Sequence, residues 1–445
     1  MRLSAIRERL RVSLWLWPSV AVTSAIAAGL LLPLLEGTGN DTLGIAGTPD
    51  GARAVLSTVA GSMITVTGLV FSLTVLALQM ASSQFTPRLL RTFLSDGGNQ
   101  AVLSTFLGTF AYSLTVLRSI RSPSEGQAFV PDVAVTVGLA LTLLSVGMLV
   151  YFFHHLTQQL RVESILKEVT GDTTRLIGRS LSSHDDTTPT PPPVPDNALP
   201  LKVRKSGYLQ AADAQILLSV ATDLGLSIRL RPAVGTHLTE GSTLGWAWPD
   251  GPDPAVQLDA EGISKRAHDG VQIGSERTLQ QDIGFGLRQL VDIAAKALSP
   301  GVNDPTTAVA ALHALAEVMG ELCGQGLGPV VTTGEEGHTV VVPRPTYGEL
   351  LALACDQPRR YGRDEPAVLG ELLHLLTDLA ETATVEEERA AVCEQIEATT
   401  AALSDTSLSA PEERLVRELA HHAEVAAERG RRPPEDAEVT DEPAA

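Results

Sequence analysis

Long apolar stretches alternate with short polar ones through the first third of the chain: Val12 to Leu35, Val55 to Ser83, Ala101 to Val116 and Val130 to Phe153, with no Asp, Glu, Lys or Arg deep inside any of them. A helix rises about 1.5 Å per residue and a bilayer's hydrocarbon core is about 30 Å thick, so this pattern predicts four membrane spans. The second stretch differs from the others. Thr58, Ser62, Thr65, Ser72, Gln79 and Ser83 fall on one helical stripe, with Leu69 and Leu76 in the gaps. Polar groups left unpaired in hydrocarbon are costly, so the stripe is expected to face another helix, a water-filled path, or both. Packing between helices explains it on ordinary grounds, since Ser and Thr bond across helices or to their own backbone. A hydrated pore is the alternative, and four spans enclose so little space that a pore needs a homo-oligomer.

Beyond Phe153 the pattern changes to short alternating runs and amphipathic helices. Leu160 to Arg179 reads as a stalk helix continuing from the fourth span, and the Ser- and Pro-rich run to Pro200 as a linker. A compact βαββ pattern follows from Leu201 to Trp248, then a helix over Thr278 to Leu298. After the tight loop Ser299 to Asn303, Asp304 is a good N-cap and Pro305 suits the first turn of a helix running to about Cys323. A hairpin near 330–342 and four further helices, Tyr347 to Leu353, Glu365 to Thr382, Val385 to Leu403 and Pro411 to Arg429, complete the ordered part. The expected fold class is therefore a membrane α-helical domain of four transmembrane helices followed by a cytoplasmic α+β domain, mostly helical toward the C-terminus. The expected boundaries are 1–155 for the spans, 156–180 for the stalk and 181–200 for the linker. They continue with 201–258 for a small mixed subdomain, 259–429 for a mainly helical one and 430–445 for an acidic, disordered tail.

Charge orients the spans. Arg2, Arg7, Arg9 and Arg11 precede the first, Arg88 and Arg91 follow the second, and Arg161, Lys167, Arg175 and Arg179 follow the fourth. The positive-inside bias then puts both termini in the cytoplasm of a bacterial inner membrane, against the mild contrary vote of Arg118 and Arg121. The net charge of −19 lies mainly in the second half and disfavours nucleic acid. The three cysteines, Cys323, Cys355 and Cys393, are too widely spaced for a disulfide framework or zinc site, and no metal or cofactor is expected. His154 and His155 read as interfacial histidines, because adjacent helical positions diverge by about 100°.

No nucleophile elbow, P-loop or dinucleotide fingerprint occurs, so no enzyme is expected. The densest polar group outside the spans is Gln281, Asp282, Arg288, Gln289, Asp292, Asn303 and Asp304. It is read as a cytoplasmic functional motif, beside the plainer reading that Arg288, Asp292 and Lys296 form a salt-bridged helix surface and Asp304 a cap.

Two segments carry a resemblance. The run Ser62-Met-Ile-Thr-Val-Thr-Gly-Leu-Val-Phe-Ser-Leu-Thr, continuing through Ala81-Ser-Ser-Gln-Phe-Thr-Pro-Arg-Leu-Leu-Arg91, and the run Arg277-Thr-Leu-Gln-Gln-Asp-Ile-Gly-Phe-Gly-Leu-Arg-Gln-Leu-Val-Asp to Ala308 resemble the bacterial predicted membrane protein family called domain of unknown function 2254. The likeness runs from the first span to about Leu403. It implies four spans and a cytoplasmic domain, and brings no activity with it. Two functions are expected as alternatives: a homo-oligomeric passive channel lined by the stripe, or a membrane-anchored sensory or scaffolding protein that binds a partner or small ligand.

Overall fold

The computed structural model describes residues 15–36, 48–84, 96–121, 129–159, 161–181, 190–249 and 260–430, without the side chains of 81–84, 260 and 430. The basic N-terminal segment, Arg88, Arg91 and the acidic tail fall outside these residues. The chain divides into two compact units, Met1–Ile165 and Leu166–Ala445.

The first unit is four helices: α1 (Leu16–Glu36), α2 (Pro49–Gln84), α3 (Gly97–Leu117) and α4 (Asp132–Gln159). All four are long and apolar enough to cross a membrane. The third is the hub, with 56% of its apolar window buried against 17–28% for the others. Small residues allow this approach. A Cβ on Gly29 of α1 would stand 2.9 Å from Thr115 Cβ of α3, and one on Gly138 of α4 would stand 3.0 Å from Leu56 of α2. Tyr112 donates its hydroxyl to the Ala134 carbonyl at 2.9 Å, and Thr109 and Ser145 hydroxyls meet at 3.1 Å between α3 and α4. At one end Glu36 accepts the N–H groups of Val133 and Ala134, closing the first turn of α4 with a residue from α1. At the other, Asp96 caps α3 and also meets His155 Nε2 at 2.8 Å. His155 therefore ties α4 to the start of α3. Much of the outer surface is apolar, with Leu34, Leu35, Leu143 and Val150 exposed.

Most of α5 (Val162–Ser180), a helix separate from α4, belongs to the second unit, which starts at Leu166. It is not a free stalk. Leu166, Val169, Leu176 and Ile177 are buried, and Thr173 lies against Gly286, where a Cβ would stand 2.1 Å from the threonine Oγ1. The strands are β1 (Leu199–Lys202), β2 (Gly207–Ala212), β3 (Leu226–Leu230), β4 (His237–Leu238), β5 (Thr243–Pro249), β6 (Val271–Gly274), β7 (Val330–Thr333) and β8 (Thr339–Val342). They form a five-stranded sheet in the order β1-β5-β3-β8-β7 and a three-stranded sheet in the order β4-β2-β6.

A boundary near residue 258 is not respected by either sheet. The 330–342 hairpin joins the central sheet through parallel pairing of β8 with β3, Ile228 opposite Val340, and β6 pairs with β2. Hydrophobicity drives the merger: Leu226, Ile228 and Leu230 are buried, and β3 needs strands on both edges to satisfy its backbone.

The helices of this unit are α6 (Ala214–Leu224), α7 (Ala260–Ala267), α8 (Ile283–Ala297), α9 (Pro305–Leu322), α10 (Tyr347–Tyr361), α11 (Pro366–Thr382), α12 (Glu386–Ala402) and α13 (Ala410–Gly430). The sequence pattern starts α8 at Thr278. The observed helix starts at Ile283 because Asp282 takes the capping position, its carboxylate accepting the Phe285 N–H at 2.9 Å. Asp304 caps α9 as its position predicts, accepting from Thr307 N and Oγ1.

Candidate functional site

Two features of the structure can carry function: a cavity in the second unit and the polar stripe of α2 in the first.

The cavity, 390 Å³, is lined by the end of α5 (Arg179, Ser180, Leu181), the junction of β2 and α6 (Ala212 to Gln215) and the start of α8 (Gln281 to Ile283). Val234, Leu327, Val330 and the segment Val342 to Pro345 complete it. Gln281 is anchored to the wall, its Oε1 accepting the Ala212 N–H at 2.9 Å. Asp282 is held more firmly. Its Oδ2 accepts from Arg277 Nε at 2.8 Å and its Oδ1 from Arg277 Nη2 at 2.9 Å, a two-point clasp suited to the planar guanidinium. Arg277 also lies over the Phe285 ring, 5.3 Å from its centroid. Burial pushes the Asp282 carboxyl above its usual range, opposed by Arg277 and the Phe285 N–H. Gly235, at φ 93°, approaches so closely that a Cβ would stand 2.2 Å from Asp282 Oδ2. Asp213 caps α6, accepting from Gln215 and Ile216 N–H groups.

Of the residues singled out from the sequence, only Gln281 and Asp282 line this cavity. Arg288 turns to α10, donating to Gln357 Oε1 at 3.0 Å, and Gln289 is buried within the helix packing. Asp292 is half-buried, about two and a half turns beyond the start of α8 at Ile283. Asn303 and Asp304 sit past the far end of α8, whose 15 residues span about 22 Å. The seven residues therefore do not converge. Asn303 is exposed and has φ 49°, which a tight loop leading into a cap explains. Among the described residues no group of three His, Cys, Asp or Glu could hold a metal ion.

The residue that sequence reasoning missed is Arg344. It follows β8 between Pro343 and Pro345, half-buried at the cavity wall, and burial lowers its pKa from the ordinary guanidinium value. Its signal was a Pro-Arg-Pro triplet directly after a strand, which reads by pattern as an ordinary loop.

The stripe of α2 points away from the rest of its unit. Leu56, Val59, Met63, Val70 and Ala77 are buried, whereas Thr58, Ser62, Thr65, Ser72 and Gln79 are exposed on a face displaced by two residues, about 200° around the helix. The Ser83 side chain is outside the described residues. Packing within one chain therefore does not explain the stripe. Ala54, Thr58, Gly61, Thr65, Gly68, Ser72, Val75 and Gln79 alternate at spacings of four and three, all exposed, and a Cβ on Gly61 or Gly68 would meet nothing within 4 Å. Such a repeat averages 3.5 residues, the period of a left-handed helix-to-helix seam. Thr58, Thr65 and Ser72 donate to the carbonyls of Ala54, Gly61 and Gly68 at 2.8–2.9 Å, so their protons are satisfied internally.

Comparison with known proteins places these features in a family setting. The sequence model described as Predicted membrane protein (DUF2254) matches residues 11–378, ending before the Leu403 limit expected from the motifs. The chain is 42% identical over 402 residues to the uncharacterized protein Rv1290c of Mycobacterium tuberculosis, covering 89% of this chain and 77% of the relative. The uncharacterized protein Mb1321c of Mycobacterium bovis is similar to the same extent, again 42% over 402 residues. No solved structure matches.

Proposed function

Because the chain belongs to the predicted membrane protein family DUF2254, we propose that it is a homo-oligomeric passive conduit of the bacterial inner membrane, with α1 to α4 as its spans. In this reading both termini are cytoplasmic, the polar face of α2 lines the path, and the second unit assembles or gates it. The observation that supports it is the outward direction of that face. Ser62 and Gln79 have no side-chain partner among the described residues, and an unpaired amide in hydrocarbon costs several kcal/mol. A ring of copies meeting along the 3.5-residue repeat would remove that cost by giving these groups water or one another, with Gly61 and Gly68 permitting close approach. The lack of ionisable residues between Val55 and Ser83 favours passive passage over coupled transport. No enzymatic step, cofactor or nucleic acid enters the reading.

The test is reconstitution. Purified protein in liposomes should conduct ions, and Thr65→Leu with Ser72→Leu should abolish the flux while the oligomer persists. Silence across a range of ions, voltages and tensions would sink the conduit.

The second reading, a membrane-anchored sensory or scaffolding protein, is favoured by the self-satisfied hydroxyls of Thr58, Thr65 and Ser72, which make a dry helix seam inexpensive. A Gly61→Cys variant in a background without the native cysteines distinguishes the two. A disulfide-linked oligomer that passes no ions belongs to the scaffold, and a linked oligomer that conducts belongs to the conduit.

A further inference from the structure

Among the described residues, the cavity of the second unit holds a cation, Arg344, without a counter-ion. No hydrogen bond or ion pair joins Arg344 to any described residue, although the chain has 52 acidic residues against 33 basic ones from which a partner could come. The carboxylates on the same wall are already engaged. Asp282 is clasped by Arg277, and Asp213 accepts two N–H groups at the start of α6. A partly desolvated guanidinium left this way is unfavourable, and an incoming anion would relieve it. Arg179, also lining the cavity, spends its Nε on the Arg175 carbonyl and leaves its two Nη groups uncommitted among the described residues. The prolines on either side of Arg344 fix their own φ angles and restrict the backbone that presents the guanidinium. The rest of the wall is largely apolar, with Leu181, Val234, Leu327 and Val330, and 390 Å³ falls in the range of small-molecule sites.

We propose that this cavity binds a small organic anion, its oxyanion group held by Arg344 and Arg179 and its apolar body lying against Val234, Leu327 and Val330. The site stands whether or not the membrane unit conducts ions. Bidentate pairing with a planar guanidinium suits a carboxylate or a phosphate equally, and the choice of probes separates them.

The experiment is isothermal titration of the full chain in nanodiscs with benzoate, phenyl phosphate and benzyl alcohol. One of the two anions should bind and saturate, and benzyl alcohol, which has the apolar body without the charge, should not. Arg344→Gln should weaken binding by about tenfold or more, as expected for losing a hydrogen bond to a charged group. Arg417→Gln, on the exposed face of α13, should leave it unchanged. Val330→Trp, which narrows the apolar wall and leaves both arginines in place, should also weaken it and keeps the test decisive if Arg344→Gln folds poorly. Failure of both anions to bind, or equal affinity in Arg344→Gln and the parent protein, overturns the proposal.

Discussion

Arg277 clasps Asp282 with two nitrogens, and the clasp closes the first turn of α8 because the same carboxylate caps that helix. Asp282 is 4% exposed, so removing its partner would strand a charge in a poorly solvated place. Arg277→Gln is expected to destabilise the second unit by about 3–5 kcal/mol. The double variant Arg277→Gln with Asp282→Asn should recover part of that loss, since an amide still caps a helix without a buried charge. Urea unfolding of the four members of the cycle measures both numbers.

Gly286 makes room for Thr173, whose Oγ1, Cγ2 and Cβ would lie 2.1, 2.7 and 2.9 Å from an added Cβ. Gly286→Ala should cost about 1–3 kcal/mol despite the better helix propensity of alanine. Adding Thr173→Gly should restore part of the loss, because the clash is with that one side chain. Thermal unfolding followed by circular dichroism reads the difference.

Hydrogen bonds from Thr307 hold the Asp304 carboxyl below its usual range. A carboxylate lowered on folding contributes stability that is present above its unfolded pKa and is lost as pH falls through the lower folded value. Asp304→Asn keeps a good cap without a titrating group, so its stability relative to the parent should improve as pH drops below the ordinary carboxylate range. Denaturation midpoints across an acid pH series test the sign.

Cys355 is fully buried on α10, and burial pushes its thiol up to about 12. The thiolate is the reactive form, so Cys355 should resist maleimide in the native protein at neutral pH and label once the chain is unfolded. Mass mapping of labelled cysteines with and without denaturant shows the contrast.

The membrane-length helices were legible because an unbroken apolar run is a local property, and the caps at Asp304 and Pro305 were legible for the same reason. The stripe of α2 was legible as a face. Its outward direction was not, since spacing identifies which residues share a side and says nothing of which side α3 and α4 cover. Likewise His155 reads locally as one of two adjacent histidines, and only the fold brings Asp96 within 2.8 Å of it. At the cavity, Gln281 and Asp282 stood out within a dense polar run, whereas Arg344 had no neighbouring polar pattern. What sets Arg344 apart is that the carboxylates described on its wall, Asp213 and Asp282, are engaged elsewhere, a relation in space.

The parallel pairing of β3 with β8 carries a consequence for synthesis. Ser227 Oγ accepts the Thr339 N–H across 112 residues of chain, so the central sheet cannot close until the ribosome has delivered nearly the whole hairpin. Until then one edge of β3 exposes unpaired backbone beside an apolar strand, a combination that invites pairing with another chain. Contacts this distant also slow folding, because the intervening loop must be ordered before the pairing repays it. A chain truncated before Thr339 should therefore aggregate even though every element up to α9 is intact, and the yield of the full protein should depend on how long that edge stays open.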